Sequence, residues 1–123
     1  MEEVNSMANE MTSEDIQVVA FQIILHSGTA RTYVHNALSR MREGEFDKAA
    51  DGMKAANDEL VKAHNSQTEL LQKYASGIKI EMEIIMVHAQ DHLMTTMTLK
   101  EMAEELEFVY KQNREIMHQL NMN

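Results

Sequence analysis

Apolar and small residues recur at alternating steps of four and three near the start of the chain: Ile16, Ala20, Ile23, Ser27, Ala30, Val34, Ala37 and Met41. This spacing predicts a helix with one coiled-coil-like seam, over about 14–43. Ser13, followed by Glu14 and Asp15, supplies a candidate N-cap with acids in the first turn. Arg40 and Arg42 suit the negative end of the helix dipole, and Gly44 is placed to stop the helix. A second seam runs through Phe46, Ala49, Met53, Ala56, Leu60, Ala63, Gln67, Leu70 and Tyr74. It predicts a helix over about 46–75, closed by Ser76 and Gly77. The first connection is so short that these two helices must be antiparallel neighbours. Gly28 and Gly52 fall inside the patterns, where each costs about 1 kcal/mol against Ala. They point to close helix approach or a bend.

A third helix is predicted from near Met82 to about Met117. Its seam is Ile85, Ala89, His92, Thr96, Leu99, Ala103, Leu106, Tyr110, Asn113 and Met117. A second stripe lies beside it: Ile84, Val87, Asp91, Met94 and Thr98. Together they cover more than half of the helix circumference, wider than one small bundle core requires. The extra face points to packing against other subunits. The fold class is therefore all-α, an antiparallel three-helix up-down-up bundle. Residues 1–12 show no periodicity and read as a flexible tail, 13–118 as a single domain, and 119–123 as a frayed end.

Composition narrows the function classes. The chain has 123 residues, no Pro, no Cys and 4 Gly, which fits long helices and excludes disulfides and thiolate chemistry. The formal charge of −9 opposes binding to nucleic acid or an anionic membrane surface. Twelve Met residues supply adaptable apolar surface where aromatics are scarce. The N-terminus lacks the basic and apolar regions of a signal peptide, and no stretch is apolar enough to span a membrane, so a cytoplasmic protein without membrane insertion is expected.

Chemistry concentrates in one segment of the third helix. His88, Asp91, His92 and Thr95 stand at i, i+3, i+4 and i+7, on one face within an apolar band. His26, His35, His64 and His118 read instead as surface or half-buried imidazoles. Three readings of the segment stay open. An Asp–His pair could fix bundle register, making this a purely structural helical bundle. His88-x-x-Asp91-His92 is one methylene from the H-x-x-E-H of a zinc metallohydrolase, but a third ligand is not evident. Alternatively, one imidazole is a nucleophile that accepts a phosphoryl group, its other nitrogen holding the proton. No G-x-x-x-x-G-K-[ST] loop is present, so the donor would be another phosphoprotein.

The run Val87-His88-Ala89-Gln90-Asp91-His92-Leu93-Met94-Thr95 resembles the active-site stretch of the lactose/cellobiose/chitobiose-type enzyme IIA of the sugar phosphotransferase system. Phe21–Gly28 with Ala30-Arg31, Gly44-Glu45-Phe46, and Ala63-His64 with Gln67-Thr68 resemble the family's first helix, first turn and second helix, in that order. The likeness covers about 14–112. It implies a homotrimer with the third helix nearest the threefold axis. It implies that His88 accepts a phosphoryl group at Nε2 from phospho-HPr and passes it to a cysteine of the IIB component. It implies that Asp91 meets its two symmetry copies around one Mg²⁺ or similar divalent cation. A divalent ion would relieve the repulsion between three such carboxylates. Met86, Leu93 and Met97 are expected to point outward as docking side chains, and Gln90 to lie on the surface. Thr95 could donate to phosphoryl oxygens or bond its own backbone. Sugar choice in this family rests with the IIC component. Met86–Met94 and Leu99–Tyr110 lean towards cellobiose or another β-glucoside over lactose.

Overall fold

The computed structural model describes residues 9–120 as three long helices joined by short turns. Helix α1 spans Ser13–Arg42, α2 spans Phe46–Ala75 and α3 spans Ile84–Gln119. The bundle is up-down-up, as the turn lengths require. Gly52 of α2 faces Ala37 of α1 while Glu59 faces His26, so these two helices are antiparallel. Ser13 reaches Glu83, Gly28 faces His92, and Gly44 lies beside Arg114, so α1 and α3 run parallel. Helix α1 is the spine: it packs along both partners, whereas α2 and α3 touch each other more sparingly.

The N-cap of α1 is Thr12, not Ser13. Thr12 is extended, and its Oγ1 accepts from the Asp15 backbone N–H at 3.1 Å while the Asp15 carboxylate accepts from the Thr12 N–H at 3.0 Å. This reciprocal pair satisfies two backbone donors that a helix start leaves free. Just before it, Lys79 N–H donates to Asn9 at 2.8 Å and Met11 N–H donates to Lys79 at 2.9 Å. These bonds fasten Asn9 and Met11 of the expected tail to the α2–α3 connection. Residues 1–8 and 121–123 lie outside the described residues. The first turn needs a glycine: Gly44 has φ of +79°, and a Cβ there would run into the Arg114 guanidinium.

All eight seam residues of α1 are buried. On α2, Ala49, Ala56, Leu60, Ala63 and Leu70 are buried, while Tyr74 is exposed. On α3 the buried line is Met86, Ala89, Leu93, Thr96 and Ala103. Ala89, Thr96 and Ala103 were expected there. Met86 and Leu93 were not: they face inward instead of outward, and Met97 also packs against the core. Ile85, His92 and Leu99 are only half-buried. The inward face of α3 is thus turned by one position at two of its turns. Ala20, Ala30, Ala37, Ala49, Ala56, Ala63, Ala89 and Ala103 make up half of the buried apolar set. Such small side chains let helices approach closely but bury little area each. The second stripe of α3 stays outside: Ile84 is 89% exposed, and Val87, Asp91, Met94 and Thr98 are exposed as well.

Candidate phosphoryl-transfer site

Helix α3 carries the site because its polar tetrad interrupts an otherwise apolar run without breaking the helix. His88 and His92, one turn apart, stack with ring centroids 6.0 Å apart and planes 23° from parallel. The two rings differ in setting. His88 is exposed, whereas His92 is half-buried against α1. Gly28 of α1 lies against His92: a Cβ there would sit 3.6 Å from His92 Nε2, an ordinary van der Waals contact. Burial pushes the His92 pKa below its ordinary value, and the nearby Arg31 and His88 push it the same way against the attraction of Asp91. Burial thus favours the uncharged form of the His92 ring, and the exposed His88 ring stacks on it.

Arg31 crosses from α1 to α3 beside this pair. Its Nη2 donates to Thr95 Oγ1 at 2.7 Å and its Nε donates to Thr96 Oγ1 at 3.3 Å. The two hydroxyls in turn donate to helix carbonyls, Thr95 to Asp91 O at 2.8 Å and Thr96 to His92 O at 2.7 Å. Thr95 thus bonds its own backbone and holds Arg31 at the same time. Gln90, expected on the surface, is half-buried: its Oε1 accepts from Gln67 Nε2, and its Nε2 lies 3.5 Å from Met86 Sδ. It joins α3 to α2 because the turned register of α3 swings position 90 towards that helix. The Asp91 side chain is exposed on the outer stripe, and only its backbone carbonyl takes part in these bonds.

The structure brings His88, His92 and Thr95 together and adds Arg31, which sequence patterns presented only as part of a resemblance. The available signal was its position: Arg31 directly follows the buried Ala30 on the rim of the α1 seam. Among the described residues no group of three or more His, Cys, Asp or Glu side chains converges as metal ligands. The stacked rings of His88 and His92 do not turn two nitrogens onto one point with a third ligand, as a zinc hydrolase site needs. His26, by contrast, is engaged elsewhere, its Nδ1 lying 2.6 Å from Glu59 Oε2 between α1 and α2.

A three-helix domain that presents an exposed imidazole stacked on a half-buried one offers a nucleophile open to a partner protein. Residues 18–111 match the family described as "PTS system, Lactose/Cellobiose specific IIA subunit". The lichenan-specific phosphotransferase enzyme IIA component of Bacillus subtilis is 44% identical over 99 residues, covering 80% of this chain and 90% of that protein. The crystal structure of PtcA from S. mutans is 59% identical with a TM-score of 0.81, over 82% of this chain and 99% of that one. The IIA(Chitobiose)–HPr complex of Escherichia coli gives 32% identity and a TM-score of 0.71, over 83% and 99%. The chain belongs to the lactose/cellobiose-specific IIA family, so its role is phosphoryl transfer within a sugar phosphotransferase system. No helix among the described residues is long and apolar enough to cross a membrane.

Proposed function

We propose that His88 is the phosphoryl acceptor of a cytoplasmic sugar phosphocarrier, charged by phospho-HPr and discharged to a cysteine of the IIB component. The observation that carries this reading is the exposed His88 ring stacked on the half-buried His92 ring. In the first step, Nε2 of His88 attacks phosphorus in line while the phosphorus–nitrogen bond of the donor imidazole breaks. The bond electrons return to the donor ring, and the His88 Nδ1 proton keeps the attacking nitrogen free. The second step repeats the exchange with a thiolate as acceptor, and neither step is redox. Most of the catalysis is positioning, because phosphoryl transfer asks for alignment and charge stabilisation. The Escherichia coli relative seen with HPr supports HPr as the donor. The relatives' named sugars support a β-linked disaccharide such as cellobiose, chitobiose or lactose as the transported substrate.

Assembly as a homotrimer would cover the exposed stripe Ile84, Val87 and Met94, with Val18, Phe21 and Leu25 of α1 as a second uncovered apolar row. Asp91 lies in the middle of the α3 stripe as one carboxylate without co-ligands among the described residues of its own chain. This fits a cation shared between subunits and not a site within one. A Mg²⁺-like ion held by three Asp91 carboxylates would neutralise their repulsion and tie the subunits together.

Incubation with phosphorylated HPr followed by intact-mass and peptide spectrometry tests the carrier reading. Wild-type protein gains one phosphoryl group on His88, and His88→Ala gains none. Label on the His88→Ala variant, or label drawn from ATP alone, refutes it. Analytical ultracentrifugation tests assembly: a stable monomer at micromolar concentration counts against the trimer.

A further inference from the structure

We propose that Arg31 is the charge partner of the phosphoryl group on His88, held ready by Thr95 and Thr96; this rests on His88 being the acceptor. A phosphorylated imidazole carries nearly two negative charges where a neutral ring stood before. The chain as a whole is already at −9, so the added charge needs a local cation. Arg31 is that cation by position. Gly28, one turn before it on α1, faces the His92 ring, and Thr95, to which it donates, lies one turn beyond His92 on α3. The guanidinium therefore borders the ring on which His88 stacks.

Its bonding supports the role. Among the described residues every hydrogen bond of its side chain goes to a neutral hydroxyl, Thr95 Oγ1 and Thr96 Oγ1. Among the described residues no carboxylate pairs with it, although Arg40 is paired with Glu45 at 3.0 Å. A guanidinium has five N–H donors. Nε and one N–H of Nη2 are used, so both N–H groups of Nη1 and the second of Nη2 remain for phosphoryl oxygens. Two threonines that bond their own helix carbonyls hold the guanidinium by its Nε and Nη2 edge without neutralising it. An Arg kept only to join α1 to α3 would gain more from a carboxylate than from two hydroxyls.

The test compares wild type, Arg31→Gln and Arg31→Lys after charging by phospho-HPr. Loss of Arg31 should shift the phosphoryl equilibrium between this protein and HPr towards HPr by about three- to ten-fold. The second ionisation of the phosphoryl group on His88, read by ³¹P NMR titration, should rise by about half to one pH unit. Arg31→Lys should recover most of both effects. A purely structural Arg31 would move melting temperature but not the phosphoryl titration. An unchanged titration midpoint and unchanged equilibrium in Arg31→Gln overturn the proposal. Should that variant not fold, the wild-type Arg31 Nε–H resonance decides: it shifts on phosphorylation, and a fixed resonance overturns the idea. Absence of any label on wild-type His88 would instead mean that the acceptor itself is misassigned.

Discussion

Gly28→Ala should stabilise this protein, although Gly28 sits in the middle of α1 against His92 of the stacked imidazole pair. A glycine inside a helix costs about 1 kcal/mol relative to alanine, mostly because the unfolded chain has more freedom to lose. That gain is kept only if the added methyl finds room. The nearest heavy atom to a Cβ at position 28 is His92 Nε2, 3.6 Å away, an ordinary van der Waals contact. A few contacts of this kind add about 0.1–0.2 kcal/mol each, and burying the methyl from water adds more. The expected net effect is a stabilisation of about 0.5–1 kcal/mol, or a few degrees in melting temperature. Gly52 is the internal comparison: its Cβ would lie 3.3 Å from the Ala37 Cβ, so helix α1 or α2 would have to yield. The assay is urea and thermal denaturation followed by circular dichroism, at one fixed protein concentration so that self-association does not enter the difference. A Gly28→Ala protein that melts several degrees below wild type would refute the reasoning. It would mean that α1 and α3 approach more closely at the imidazole pair than the 3.6 Å separation indicates.

Leu93 is fully buried between the helices, so Leu93→Ala should cost about 2–5 kcal/mol; a loss under 1 kcal/mol in urea would place Leu93 on the surface after all. Ser27 is buried with no hydrogen-bond partner for its hydroxyl among the described residues, so Ser27→Ala should raise stability by about 1 kcal/mol in the same assay. Glu59 is held below the usual carboxylate range, first by its hydrogen bond to His26 and then by attraction to Lys62, against an opposing effect of burial. Its folded-state pKa is below the unfolded one, so its stabilisation is complete above the ordinary glutamate range and disappears as pH falls through the folded value. Glu59→Gln should therefore lower the urea midpoint at neutral pH and converge with wild type in acid; a gap that stays constant with pH contradicts this.

The periodicity of α1 and α2 determined their place in the fold without help. Each has one narrow line of apolar and small residues, and only one rotation of the helix can bury such a line. The eight seam residues of α1 are all buried for that reason. Helix ends were legible to within a residue or two, since Gly44 and Gly77 both take the left-handed conformation that stops a helix. That His88 stands one turn from His92 was legible too, because local spacing alone sets it.

Tertiary packing decided what α3 does. With apolar residues on more than half of its circumference, several rotations bury comparable area, and periodicity cannot choose among them. Contact with α1 settled the choice: it drew Met86 and Leu93 inward, left Ile84, Val87 and Met94 outside, and turned Gln90 towards Gln67. The same contact set the chemistry of the site. Gly28 lies against His92, burial disfavours the charged form of that ring, and Arg31 reaches Thr95 from another helix. These relations join residues more than sixty positions apart. A repeat along one helix records which of its own residues share a face, but not which side chain of a distant helix will lie against them.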